Sequence, residues 1–311
     1  MRREQEIPHD SAELKATTSL DDDTVDFVVG DETLATCERT KRAAIEIDWA
    51  GRTHIGKVRP HNEDHYFVFR KEQRRGVLDT NLVDYPTCQQ AEQTYVFAVA
   101  DGLGGHSFGE LASAITLRLQ GPAGRDSWLA ELAELSPGDV PAQATKEAKR
   151  VHRRLLDEAQ KNPQLRGMAS TLTAALAFNH RLVLIHLGDS RAYLLQADEL
   201  KQVTVDHTLA QEMKSTNVMD PRMVRMANVL TNCLGGDEGQ LRVETHDLRW
   251  GAGDHLLICS DGLSDVVTPE EMKKALLEHP TAAEASDFLV NLALERGGRD
   301  NITVVIASCR S

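Results

Sequence analysis

Six short segments, each setting a carboxylate beside a residue that favours turns, are spread between Arg59 and Thr303, and any fold of this chain has to place them. They read Arg59-Pro-His-Asn-Glu63-Asp64, Asp101-Gly-Leu-Gly-Gly-His106, Gly188-Asp189-Ser-Arg191, Asp206-His-Thr208, Ser260-Asp261-Gly-Leu-Ser-Asp265 and Gly298-Arg-Asp300-Asn-Ile-Thr303. Apolar runs feed straight into three of them: Val99-Ala100-Asp101, His186-Leu187-Gly188-Asp189 and Ile258-Cys259-Ser260-Asp261. Carboxylates placed where strands end can converge on one rim of a sheet. Gly102 and Gly262 permit a tight turn there, or let a carbonyl or a phosphate come close to the chain. A single Asp-Gly is an ordinary strand-to-turn link. Three such sites, with Asp300-Asn301 as a fourth, call for a shared purpose.

Carboxylates without a matching set of Cys or His favour hard divalent cations, since magnesium and manganese suit oxygen donors whereas zinc takes nitrogen or sulfur. The expectation from the residues is a two-metal hydrolase. The five cysteines (Cys37, Cys88, Cys233, Cys259, Cys309) are scattered and show neither zinc-ligand spacing nor a disulfide framework, which fits a reducing compartment. Cys259 and Cys309 lie in apolar runs and read as core residues. A net charge of -13 argues against a sequence-independent grip on nucleic acid, which depends on Lys and Arg neutralising phosphates. No apolar run is long enough to span a bilayer, and the opening residues lack the apolar stretch of a signal peptide, so a cytoplasmic location is expected.

Residues 1 to about 40 hold eleven acidic against four basic residues with no sustained apolar period, so residues 1–42 read as an acidic, mobile extension. Its Thr17, Thr18, Ser19 and Thr24 could accept phosphate. Residues 43–311 read as one domain. Strands are expected over Ala43 to Trp49, Tyr95 to Ala100, Thr171 to Phe178, Leu182 to Leu187, Ala192 to Leu195, His255 to Cys259 and Ile302 to Ala307. Asn179-His180-Arg181 is compact enough for a hairpin link, and an antiparallel meander is the economical reading of the central third. Helical spacing covers Gly109 to Leu119, Ala142 to Ala159, Pro269 to Leu277 and Ala282 to Leu294, with Thr268 as N-cap and Glu271 completing a capping box. Strands and helices fall into blocks rather than alternating, which favours an α+β layered domain over a doubly wound sheet.

In order and spacing, the six segments resemble those of the metal-dependent protein serine/threonine phosphatases, the PPM or protein phosphatase 2C family, in its bacterial form. The resemblance covers about residues 50 to 309. It implies a four-layer αββα sandwich of two antiparallel sheets flanked by helices, with a metal cleft at one end. It implies that Asp101 bridges two Mn2+ or Mg2+ ions, that Gly102 gives its carbonyl oxygen to one and that Asp261 and Asp300 hold the other. Glu63 and Asp64 would act through water, and Asp189 and Asp265 with Asp261 would form a third, weaker site. Water activated between the ions would attack phosphoserine or phosphothreonine directly. Arg59 matches the family's phosphate-binding arginine, a role suited to the guanidinium fork.

One position departs from some eukaryotic members, which carry His directly after Asp-Gly where this chain has Leu103. His106, three residues on, becomes a candidate general acid, although it could equally cap the next helix or bond a carboxylate. His61 and His65 flank the first acidic cluster as candidates for orienting it. Ser190 and Arg191 read as structural, positioning Asp189 or pairing with an acidic neighbour. The Met-rich stretch from Asp206 to about Leu241 resembles the family's flap, or else a helical hairpin packed on the core. The expected partners are phosphorylated proteins and a cognate Ser/Thr kinase, with no nucleic acid and no membrane span, and the expected state is a monomer. Two rivals are a catalytically silent relative that binds phosphoproteins, which the filled ligand positions disfavour, and a metal nuclease, which the acidic balance disfavours. No Cys-x5-Arg signature supports a phosphocysteine intermediate.

Overall fold

Apolar runs without polar alternation, such as Leu172–Ala177 and Ile302–Ala307, belong to strands covered on both faces. The computed structural model, which describes residues 46–75, 90–104, 108–124, 126–216 and 229–310, shows what covers them. All described residues belong to one compact unit. The acidic extension, including its hydroxyl residues, falls outside them, as do Cys37, Cys88 and residues 43–45 of the first expected strand.

The first half of the chain holds β1 (Glu46–His54), β2 (Asp64–Arg75), β3 (Gln90–Leu103), α1 (Phe108–Arg118), α2 (Trp128–Leu132) and α3 (Val140–Lys161). The middle holds β4 (Ala169–Ser170), β5 (Leu172–Phe178), β6 (Arg181–Leu187), β7 (Arg191–Gln196), β8 (Glu199–Gln202) and α4 (Leu209–Thr216). After residues 217–228 come β9 (Leu234–Gly235), β10 (Glu244–Arg249), β11 (His255–Cys259), α5 (Asp261–Ser264), α6 (Pro269–Glu278), α7 (Ala282–Glu295) and β12 (Ile302–Arg310).

Two antiparallel sheets result. One has the order β1-β12-β11-β7-β8; the other runs β10-β6-β5-β3, continues through β4 and β9, and takes β2 along β3. Tyr95, Phe97, Val99, Ala175, Leu182 and Leu184 of the second sheet meet Ala192, Leu194, Leu256, Ile258, Val305 and Ala307 of the first, forming the central core. Alternate residues of the same strands face outward. Val96, Ala98, Leu176 and Ile185 pack on Trp128, Leu129, Ala148 and Val151 of the α1–α3 layer. Tyr193, Leu257, Val304 and Ile306 pack on Met272, Leu276 and Leu289 of α6 and α7. The four-layer αββα sandwich follows from strands apolar on both sides, each sheet meeting the other sheet on one face and helices on the opposite one.

The capping box forms as the spacing requires: Thr268 Oγ1 accepts from Glu271 N–H and Thr268 N–H donates to Glu271 Oε2 at 3.0 Å. Thr281 caps α7 in the same manner, accepting from Glu284 N–H. Asn179, at φ 45°, turns the β5–β6 hairpin. The expected central meander is broken, however. β6 pairs with β5 and β10, whereas β7 pairs with β11 and β8, so the chain crosses between sheets at Gly188–Ser190. Local pattern cannot separate a hairpin from a crossover, because both join short apolar runs by a turn. Five strands, β2, β4, β8, β9 and β10, escaped sequence reading. β2, β8 and β10 are edge strands whose solvent-facing residues dilute the apolar signal, and β4 and β9 are two residues each, too short for any period. Cys259 and Cys309 are buried, and burial pushes each thiol up to about 12. No helix among the described residues is long and apolar enough to cross a membrane.

Phe97 is fully buried between the sheets and stacks on Tyr95 with ring centroids 5.9 Å apart. Phe97→Ala should cost about 3–5 kcal/mol, measured as a lower urea midpoint at unchanged slope; an unshifted midpoint would contradict the assigned core.

Candidate active site

Antiparallel pairing of β2 with β3 sets Asp64 directly opposite Asp101. Gly102 N–H donates to Glu63 O at 3.2 Å, drawing Glu63 to the same rim. In the other sheet β11 and β12 are neighbours, so Asp261, just past the end of β11, and Asp300, just ahead of β12, reach the same end. A direct bond between side chains ties the two rims together: Ser260 Oγ donates to Asp64 Oδ2 at 2.7 Å. Asp189 sits on the crossover between the sheets, and Asp265 follows one helical turn after Asp261, its N–H donating to Asp261 O at 2.8 Å.

Polar residues hold these loops in register. Asn301 Oδ1 accepts from Glu63 N–H at 2.8 Å, its Nδ2 donates to Ile55 O and His61 O, and its own N–H donates to Asp300 Oδ1. Thr171 interrupts the strand running beside β3 between β4 and β5. There its N–H donates to Asp101 O at 2.8 Å and its Oγ1 accepts from Asp101 N–H at 2.9 Å. Thr171 Oγ1 also lies 2.8 Å from Ser190 Oγ, and Thr173 Oγ1 donates to Ser190 O at 2.8 Å. The Asp101 and Asp189 loops are thereby joined. Asn301, Ser260 and Ser190 lay inside the sequence segments, whereas Thr171 and Thr173 carried no signal beyond opening an apolar strand.

Close approach, rather than turn geometry, explains Gly102 and Gly262. A Cβ on Gly102 would lie 1.9 Å from Gly109 O, and one on Gly262 2.0 Å from Asn301 O. No side chain fits either gap.

Burial and mutual repulsion dominate the electrostatics. Burial first, then the neighbouring Asp261 and Asp300, push Asp64 up to about 7; burial with Asp189, Asp300 and Asp265 pushes Asp261 to about 7. Burial with Asp206 and Asp265 raises Asp189 to about 6, and Asp101 is driven well above the carboxylate range by burial and by four surrounding aspartates. Glu63 and Asp265 are raised mainly by burial. Glu63 Oε1, Asp64 Oδ1 and Asp261 Oδ1 are buried with no hydrogen-bond partner. Desolvated carboxylate oxygens without donors are expensive. Converging as hard oxygen donors, they fit divalent cations of the Mn2+ or Mg2+ class.

Arg59 stands at this rim, half-exposed, its Nη2 donating to Asp300 Oδ2 at 2.6 Å. His65 Nδ1 lies 2.9 Å from Ser113 Oγ, which donates to Glu63 O at 2.5 Å, so His65 reaches the Glu63 loop through a serine. His61 touches the cluster through its backbone carbonyl. Arg191 pairs with an acidic neighbour: its Nε and Nη2 donate to Asp206 Oδ1 and Oδ2 at 2.9 and 2.6 Å. His106 lies outside the described residues, as do 217–228 of the Met-rich stretch; Leu209–Thr216 before them is helical.

The family model described as protein phosphatase 2C matches residues 79–295. The chain belongs to the protein phosphatase 2C family. The matched span holds Asp101, Asp189, Asp261 and Asp265, while Arg59, Glu63, Asp64 and Asp300 of the same rim lie outside it. The Listeria innocua serine/threonine phosphatase stp is 33% identical over 258 residues, covering 82% of this chain and 93% of that protein. The Mycobacterium tuberculosis serine/threonine protein phosphatase PstP is 33% identical over 270 residues, covering 86% of this chain and 46% of PstP. The crystal structure of the PstP catalytic domain in complex with two manganese ions superposes at a TM-score of 0.66 and 33% identity, covering 86% of this chain and all of that one. Stp1 from Staphylococcus aureus superposes at 0.69 with 26% identity, covering 86% and 96%. A centre for two Mn2+ or Mg2+ ions accords with the family and with the orphaned oxygens at this rim.

The raised carboxylates set the sign of a pH effect in chelated protein. Native Asp64, Asp189 and Asp261 hold protons to higher pH than the unfolded chain, so the native state loses stability as pH rises from about 4 towards about 7. With EDTA present, Tm should fall between pH 5 and pH 8, and Mn2+ should restore it at pH 8. A Tm that rises with pH in EDTA would contradict this electrostatic picture.

Proposed function

We infer that this member of the protein phosphatase 2C family hydrolyses phosphoserine and phosphothreonine in protein substrates, opposing a cognate kinase in the cytoplasm as a monomer. The observation that carries the reading is the single rim on which two sheets assemble Glu63, Asp64, Asp101, Asp261 and Asp300, with buried oxygens unpaired and Arg59 beside them. The serine/threonine phosphatases of Listeria innocua and Mycobacterium tuberculosis, each 33% identical, support the substrate class.

Each residue's task follows from its chemistry. Asp101, near the end of β3, would be the donor shared by two cations; the Gly102 carbonyl, Asp261 and Asp300 would complete their protein donors, and Glu63 and Asp64 would act at longer range through water. Bound there, two divalent ions would lower the pKa of a shared water and offset the charge of the phosphoryl oxygens. Arg59, held at the rim by Asp300, presents its guanidinium fork to two phosphoryl oxygens and turns the ester bond in line with the attacking side. Asp300 thus serves both groups, tying the phosphate anchor to the ion site. Asp189 and Asp265, whose charges both act on Asp261, would hold a further, weaker ion with it. His106 is proposed as the acid that gives a proton to the departing serine or threonine oxygen.

Hydrolysis of a phosphothreonine peptide should require Mn2+ or Mg2+ and stop in EDTA. Asp261→Asn should lower kcat by at least roughly a hundredfold, as loss of a group that stabilises transition-state charge does. A folded, cation-binding but inactive parent would point to the silent binding protein instead. Arg59→Ala should lower kcat/KM by roughly a hundredfold while leaving Mn2+ affinity within a few-fold of the parent, measured by calorimetric titration; unchanged kcat/KM would remove Arg59 from phosphate binding.

A further inference from the structure

Of the six segments, Asp206-His207-Thr208 is the one that the ion-site chemistry leaves without a task. Asp206 is occupied by Arg191. His207 is nearly buried and touches the crossover that carries Asp189 at two points. Its backbone N–H donates to Gly188 O at 2.8 Å, and Gly188 N–H donates back to the ring Nδ1 at 3.1 Å. Asn232 Nδ2 lies 2.9 Å from the same Nδ1, and Thr231 N–H donates to His207 O at 2.9 Å. The Asn232 side chain is itself anchored, to Arg242 N and O.

These contacts settle the tautomer. A backbone amide can only donate, so Nδ1 offers a lone pair and the ring proton of the neutral imidazole sits on Nε2, facing Glu244 Oε2 at 3.3 Å. Glu244 stands opposite His186 on the neighbouring strand and also accepts from Val205 N–H at 3.3 Å. The ligand atoms of His186, His207 and Glu244 lie within 4.8 Å of one another, a spacing that a transition metal could bridge. Binding through Nε2 would move the ring proton to Nδ1, where Gly188 N–H points. The group is therefore a hydrogen-bonded chain with a defined direction, from Gly188 through His207 to Glu244.

We propose that His207 is a positioning residue that locks the Gly188–Asp189 crossover, setting Asp189 as a cation ligand and joining it to the segment Thr231–Asn232. The proposal rests on the role assigned to Asp189 under the proposed function. Gly188 adopts φ 108°, and a Cβ there would lie 2.6 Å from Thr171 Cγ2, so the crossover is confined by Thr171 on one side and by His207 through its amide and carbonyl. The bonds from Thr173 Oγ1 to Ser190 O and from His207 N to Gly188 O bracket Asp189 on both sides. Loss of such a support costs about 10- to 100-fold in ion affinity without touching the ion.

Calorimetric titration of the full chain with Mn2+ tests this. Asp189→Asn should abolish the weakest binding step, and H207Q, which keeps a donor towards Glu244 but loses the acceptor for Gly188 N–H, should weaken that step about tenfold while the tighter steps stay at parental affinity. H207N, whose Oδ1 takes the place of Nδ1, should stay near the parent. Excess Mn2+ should restore H207Q hydrolysis of the phosphothreonine peptide but not that of Asp189→Asn. Parental affinity in H207Q, or an H207N as weak as H207Q, would overturn the role of the ring. A weak step that survives Asp189→Asn would overturn instead the assignment of Asp189 on which it stands. H207N judges the proposal by itself if H207Q does not fold.

Discussion

Repulsion between carboxylates is the constraint on which the rest of this molecule turns. The charges of Asp261 and Asp300 raise the pKa of both Asp64 and Asp101, that of Asp300 also raises Asp261, and three of the oxygens gathered there have no donor. An apolar core would not choose to assemble such a cluster; folding energy from elsewhere has to hold it. The source is visible in the sandwich, where three apolar layers flank strands that are buried on both faces. A divalent cation converts the same repulsion into binding energy, which is why the most strained electrostatics coincide with the chemistry.

The architecture also explains how the cluster is held open without collapsing. Its carboxylates are borne by ladder ends, a crossover and a short helix, and each is tied by uncharged groups: Ser260 to Asp64, Thr171 to the Asp101 backbone, Asn301 to Glu63 and Asp300. Neutral donors satisfy one side of these loops and leave the buried Glu63 Oε1, Asp64 Oδ1 and Asp261 Oδ1 without a partner. Among the described residues, Arg59 is the one cationic side chain bonded to the carboxylates of this cluster, through Asp300. It sits at the exposed rim, outside the buried groups.

The site was more legible than the fold around it. Asp101, Asp189 and Asp261 announced themselves because each ends an apolar run, and Asp300 because it stands just ahead of one; such a boundary is a local event that sequence records. The capping box at Thr268 was readable for the same reason. Long-range facts were not. Nothing local marks β6 and β7 as belonging to different sheets, nor gives β2, an edge strand that ends in charged residues, a strand signal of its own. His207 was quoted within a motif, yet its contacts run to Gly188, Asn232 and Glu244, positions whose proximity depends on pairing between β6 and β10.

Sequence by itself determined the donor chemistry, the class of ion it suits, the α+β division and the family, because these depend on residue type and order. Tertiary structure decided which end of which sheet the donors share, that Gly102 and Gly262 are needed for backbone contact, and that Asn301, Thr171 and His207 hold the loops. The physical reason is separation along the chain. Ser260 meets Asp64 across 196 residues, and only the packing of one sheet on the other brings such distant positions within hydrogen-bonding reach.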